Sequence, residues 1–134
     1  GGGRDLGAVV VPPTSPFLAD FLSSHAGEIK KFQPDFDLDA ERDFALVLTR
    51  DGLPAGAVLG RRSGDRLDID LDYVMRAYRD SRLGQWLYGP GARTLKSAGI
   101  SSVTSAAGTS SHHPYLERVG FELDSDTGCY VREL

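Results

Sequence analysis

The sequence predicts a mixed α+β domain of six or seven strands and three helices, three of the strands forming an antiparallel meander. Three observations carry this. The hydrophobic period alternates between 2 and 3.6 along the chain, turn residues fall where the period changes, and 134 residues suffice for one core but not two. The element order reads strand, helix, three strands, helix, strand, helix, two strands.

"GAVVVPP" supplies the first strand, a β-branched run from Val9 to Val11 stopped by Pro12 and Pro13, which suits a sheet edge. Residues 16 to 32 read as one amphipathic helix: Phe17, Leu18, Phe21, Leu22, Ile29 and Phe32 recur at helical spacing, and Asp20, Glu28, Lys30 and Lys31 take the other side. "QPDFDLDAER", 33 to 42, is an acidic connector without a period.

Two apolar runs, Phe44 to Thr49 and Ala55 to Gly60, surround Arg50-Asp51-Gly52, a hairpin turn signal. "SGDR" at 63 to 66 makes the next turn. Leu67, Ile69, Leu71 and Tyr73 then alternate with Asp68, Asp70, Asp72 and Val74, as in a third strand of the meander. From Ser81 the period is helical, with Leu83, Leu87 and Leu95 in phase. Gly89-Pro90-Gly91 predicts a kink or two short helices, and the continuing apolar phase favours the kink. Gly99 caps this segment, "ISSVTSA" reads as a strand, and Ser110 or Ser111 starts a short helix "HHPYLERV" ended by Gly120. Phe121 to Leu123 and Cys129 to Leu134 form a closing hairpin.

Composition excludes several function classes. A net charge of -4 and a pI near 5.3 give no global attraction to nucleic acid. No run approaches the roughly 20 apolar residues of a membrane span. Cys129 is alone, so no internal disulfide forms, no zinc spacing exists, and a reducing cytoplasm is the expected compartment. "GGGR" at the start reads as a linker or tag remnant covering 1–7, with a single domain over 8–134 and a longer natural polypeptide around it.

"YRDSRLGQWL", 78 to 87, lies between the third meander strand and the second helical segment. A loop so placed turns backbone N–H groups and positive charge toward one spot, which suits a phosphate. No Walker-type G-x-x-x-x-G-K-[ST] and no G-x-S-x-G elbow occurs, which sets aside P-loop NTPase readings and nucleophilic roles for Ser81 and Ser111.

With the order placed, residues 44 to 134 resemble the GNAT-type N-acetyltransferase superfamily. Its motif V-x-P-x-Y-R-G-x-G-x-G/A is matched by "VMRAYRDSRLG", 74 to 84, and its Y-E-K-x-G-F by "LERVGF", 116 to 121. The resemblance implies a three-layer arrangement, with a central, largely antiparallel twisted sheet flanked by the helices, and acyl transfer from acetyl-CoA to a primary amine by direct attack on the thioester, with no metal. It implies that Arg79, Asp80, Ser81, Arg82, Leu83, Gly84 and Gln85 hold the pyrophosphate and that the backbone near Tyr73 and Val74 pairs with the pantetheine arm. Arg82 stands at the family's middle glycine, Asp80 at its first, and Arg76 at its proline. The tyrosine acid of the family falls on Leu116, with Tyr115 one place earlier, about 100° away on a helix. In the first 43 residues the resemblance is general, and the region that would hold two helices has room for one.

Asp68, Asp70 and Asp72 form either a solvated strand face or, if helices cover both sides of the sheet, the lining of an open cleft. In the cleft a carboxylate would draw in an ammonium and take its proton, and Asp72, then Asp70, lie nearest the loop. Residues 65 to 72 hold four acids and one base, and 76 to 96 hold five bases and one acid, consistent with an amine side and a phosphate side. His112 and His113 read as loop-surface residues, His25 as surface or boundary, Trp86 and Tyr88 as packing, and Cys129 as a small buried hydrophobe. The expected partners are an acyl-CoA and an amine, together with either a longer polypeptide or a second copy. The rival expectation is a non-catalytic CoA-binding or protein-interaction module.

Overall fold

The computed structural model describes residues 5–81, 83–106 and 113–134, with only the backbone described for 79–81, 84, 106 and 113–115. A seven-stranded sheet runs in the order β1-β2-β3-β4-β5-β7-β6. Its strands are β1 (Leu6–Val11), β2 (Phe44–Arg50), β3 (Leu53–Ser63), β4 (Arg66–Val74), β5 (Ser102–Ala106), β6 (Glu122–Asp124) and β7 (Cys129–Glu133). Neighbours are antiparallel except β4 and β5, which are parallel and joined by a helical crossover. β1 is an edge strand and begins at Leu6, so Leu6 and Gly7, assigned by sequence to the linker or tag remnant, pair with Arg50 and Thr49.

The β2–β3 turn shows why Asp-Gly sits there. Asp51 and Gly52 both have positive φ, 54° and 80°, the pattern of a two-residue turn whose twist matches the flanking strands.

Each of the first two helical segments is divided. Residues 16 to 32 form α1 (Pro16–Ser24) and α2 (Ala26–Phe32), which corrects the single-helix expectation and supplies the two helices thought not to fit. The break falls at His25, with φ -115° and ψ 14°; its N–H turns to Leu22 O, and its Nδ1 lies 2.8 Å from Phe21 O. The apolar phase survives the break because Leu18, Phe21, Leu22 and Ile29 enter one core. The next segment is α3 (Leu83–Tyr88), a 3₁₀ turn (Pro90–Ala92) and α4 (Arg93–Ser97), not one kinked helix. Gly89 is non-helical, Pro90 lacks the N–H that would continue the ladder, and Gly91 lies against the Trp86 ring where a Cβ would collide.

α4 ends at Gly99, φ 87°, with Ile100 N–H bonded to Leu95 O. α5 (His113–Arg118) ends similarly at Gly120, φ 94°, and Phe121 packs back into the core with its N–H on Leu116 O. The expected caps Ser110 and Ser111 lie outside the described residues, as does His112.

Two cores cover the two faces of the sheet. The first joins Phe44, Leu46, Leu48, Leu67 and Ile69 to Leu83, Leu87, Leu95, Leu116 and Phe121. The second joins Ala45, Val47, Leu59, Leu71 and Tyr73 to Leu18, Phe21, Leu22, Ile29 and Phe36. Three layers with helices on both faces follow, five helices in place of the three expected segments.

Candidate active site

β4 changes face midway. Leu59 pairs with Leu71 and Gly60 with Ile69, so Asp70 is an extra residue on β4, a β-bulge. The alternation inferred from sequence therefore breaks. Leu67 and Ile69 belong to the first core, Leu71 and Tyr73 to the second. The three aspartates are divided accordingly and do not share one face.

Asp68 accepts from Thr104 Oγ1 on β5 at 2.6 Å and pairs with Arg66 at 2.8 Å on the second face, where both side chains are exposed. Asp70, at the bulge, is bound by the connector between α2 and β2. Arg42 Nε donates to its Oδ2 at 2.6 Å, and Gln33 Nε2 donates to its backbone carbonyl at 2.6 Å. The Arg42 side chain is buried, lies 4.6 Å over the Phe36 ring, and also donates to the carbonyls of Ala40 and Asp37.

Asp72 instead points to the first face. It is buried, 6% exposed, and accepts from the Tyr88 hydroxyl of α3 at 3.0 Å. Tyr88 is itself fully buried. Its carbonyl accepts from Arg132 of β7 at 2.7 and 3.2 Å, and its ring meets Phe121 edge-on at 5.2 Å. One side chain thus connects α3 to β4, and the same residue's backbone is held by β7.

The β4–β5 ladder stops short of Asp72. The β4–β5 ladder ends at the pair Ile69 and Ser105, beyond which β4 continues to Val74 along β3 and β5 continues to Ala106 along β7. β4 and β3 stay close to the end, for a Cβ on Gly56 would collide with Tyr73 O. Asp72 and Ser105 are the buried polar side chains of the described core, and they flank the parting point on the same face. Polar groups buried in an apolar core are costly unless partnered, and Asp72 has the Tyr88 hydroxyl as a partner.

After β4, Met75 N–H bonds to Ala55 O and the chain enters a 3₁₀ turn, Arg76–Ser81. The proposed phosphate loop is therefore this turn plus the start of α3. Leu83 is buried in the first core, Gln85 is exposed, and Arg79, Asp80, Ser81 and Gly84 contribute described backbone. Arg82 lies outside the described residues. Tyr73 and Val74 end β4; Tyr73 is buried against α1, with its ring 6.3 Å from that of Phe21. Tyr115 lies in α5 with its side chain outside the described residues, whereas Leu116 is fully buried. The structure thus brings Asp72 and the β4 end to the parting of the sheet and sets Asp70 on the opposite face.

Tyr88, Ser105 and Arg42 have no distinguishing motif. Arg42 carries one local signal, a cation within an otherwise acidic connector. Tyr130 carries a phenol raised above its ordinary value, first by burial and then by the Glu117 carboxylate beside it at 3.5 Å. Among the described residues no group of three or more His, Cys, Asp or Glu side chains is arranged for a metal, and no helix is long and apolar enough to cross a membrane.

No protein-family model and no curated protein matches the sequence. Solved structures do match in three dimensions. A GNAT-family acetyltransferase from Staphylococcus aureus superposes with a TM-score of 0.64 at 14% identity, covering 96% of this chain and 99% of its own. A Bacillus subtilis acetyltransferase in complex with CoA gives 0.62 at 14%, covering 97% and 99%. N-acetylglutamate synthase from Neisseria gonorrhoeae, complexed with coenzyme A and N-acetyl-glutamate, gives 0.64 at 16%; the match covers 95% of this chain but 35% of the synthase. The seven-stranded sheet, the helices on both faces and these superpositions together establish that the chain has the GNAT-type N-acetyltransferase fold.

Proposed function

We propose that the protein is an acyl-CoA-dependent N-acyltransferase that moves an acetyl group from acetyl-CoA to a primary amine in the cytoplasm. The observation that carries the reading is the parting of β4 from β5 after Ile69 and Ser105, beside buried Asp72. An extended pantetheine arm would add along β4 where its pairing with β5 stops, and the structural neighbours with bound CoA support the class of donor. The phosphates would lie at Arg79, Asp80, Ser81, Arg82, Leu83, Gly84 and Gln85, and the pantetheine near Tyr73 and Val74.

Acetyl-CoA supplies the activated acyl group. Asp72, positioned by Tyr88, takes a proton from the incoming ammonium, directly or through water, and frees the nitrogen lone pair for the thioester carbonyl. As the C–S bond breaks, Tyr115 gives its proton to the departing sulfur and receives the remaining excess proton from nitrogen. Asp72 then returns its proton to water. Holding amine and thioester in one place supplies much of the rate. Asp70 is the second candidate base, and it would have to leave Arg42 to act.

That pairing favours a second reading, a non-catalytic CoA-binding or protein-interaction module. Here Asp70 is a structural anion for buried Arg42, and Leu116 fills the position of the family's acid.

Calorimetric titration with acetyl-CoA and CoA at low and physiological salt tests the first step. Saturable binding that weakens as salt rises supports the donor, and turnover with a primary amine supports the enzyme. No binding up to about millimolar ligand, an interaction weaker than roughly 4 kcal/mol, overturns the acyl-CoA reading.

A further inference from the structure

Arg50 ends β2, where it pairs with Leu6 of β1 and Leu53 of β3. It is half-buried, and its Nε is fully buried without a hydrogen bond. The ion pairs among the described residues are Arg42 with Asp70 and Arg66 with Asp68, and Arg50 belongs to neither. The carboxylate adjacent in sequence, Asp51, is engaged elsewhere and accepts the Asp5 N–H at 2.9 Å. What Arg50 does meet is the ring of Tyr78, 5.5 Å from the guanidinium carbon.

A cation–π contact of this kind is an electrostatic attraction to the ring and supplies no hydrogen-bond acceptor oxygen to the guanidinium N–H groups. A half-buried cation with no carboxylate partner among the described residues is costly unless an anion arrives from outside, and the planar fork matches a phosphate. Tyr78 is part of the turn Arg76–Ser81, and so Arg50 approaches from β2 the same loop that α3 follows.

We infer that Arg50 is an anion-binding residue, held in place by the Tyr78 ring, that contacts a phosphate of the bound acyl-CoA. Resting on the acyl-CoA reading, it adds a residue from outside the loop, two strands earlier in the sequence. In the absence of ligand Arg50 is expected to contribute nothing to stability beyond its stacking.

The test is calorimetric titration of the wild type, Arg50→Met and Arg50→Lys with CoA, pantetheine and inorganic pyrophosphate, with thermal melts of all three proteins. Arg50→Met is expected to weaken CoA and pyrophosphate at least about tenfold, a loss of roughly 1.4 kcal/mol, and to leave pantetheine within twofold. Its Tm without ligand is expected at or above that of the wild type, and Arg50→Lys falls between the two in affinity. Equal binding of CoA by wild type and Arg50→Met overturns the inference and leaves the acyl-CoA reading standing. Pyrophosphate bound by wild type and lost in Arg50→Met, with CoA not bound, overturns the acyl-CoA reading and leaves the anion site standing. A large drop in Tm for Arg50→Met identifies a structural cation and overturns the inference.

Discussion

Arg42 reaches from the connector before β2 to the extra residue of β4, placing its Nε 2.6 Å from Asp70 Oδ2. The two ends of this pair are unequal. The Arg42 side chain is 5% exposed and the Asp70 side chain 38%, and Arg42 also serves the carbonyls of Ala40 and Asp37. Arg42→Ala is therefore expected to destabilise by about 3 kcal/mol, and Asp70→Ala by about 1 kcal/mol, since the arginine then keeps its carbonyl partners and the ring of Phe36. Urea denaturation of both variants checks the order. An Asp70→Ala loss equal to that of Arg42→Ala would show that the carboxylate alone holds the connector.

Asp72→Asn preserves shape and still presents an oxygen to the Tyr88 hydroxyl, so its stability should change by less than about 1 kcal/mol. If Asp72 is the base, turnover falls by roughly 100-fold or more with CoA affinity unchanged. Steady-state kinetics beside CoA titration separates these. Unchanged turnover in Asp72→Asn, with Asp70→Asn inactive, would transfer the role to the bulge.

Leu116→Tyr places a tyrosine where the sequence resemblance would put an acid. That position is fully buried, so the larger side chain is expected to cost about 1–3 kcal/mol by overpacking and to give no gain in rate. A faster enzyme would mean that α5 can present position 116 to the sulfur.

The raised phenol of Tyr130 sets an alkaline limit. A folded-state value above the unfolded one means that the native protein holds this proton more tightly, so stability is complete below about pH 10 and declines as pH rises through the folded value. Tyr130→Phe should remove this part of the alkaline loss, and melts between neutral pH and pH 11 would show a flatter decline than the wild type's.

Element order and most turns could be read from local signals: the Asp51-Gly52 turn, the helical phase of Leu83, Leu87 and Leu95, and the Gly120 cap. These depend on neighbours a few residues apart, which is why a linear pattern records them. The same signals carried the loop at 78–85 to its place after β4. Where they misled, the cause was also local: an unbroken apolar phase across His25 and across Gly89 hid two breaks, because both pieces of each segment bury the same stripe.

The carboxylates belong to the other category. Asp68, Asp70 and Asp72 alternate perfectly in sequence, yet β4 bulges at Asp70 because its pairing with β3 sets two residues against one. That count depends on two strands, and it turns Asp72 to the α3 face while Asp70 meets Arg42 on the other. The order β5-β7-β6 and the parting at Ser105 are likewise properties of pairing. By itself the sequence determined which segments are strands, helices and turns, since period and backbone preference are written residue by residue. Tertiary structure alone decided which polar groups face which side and which of them meet, since burial and partnership are set by chains distant in sequence.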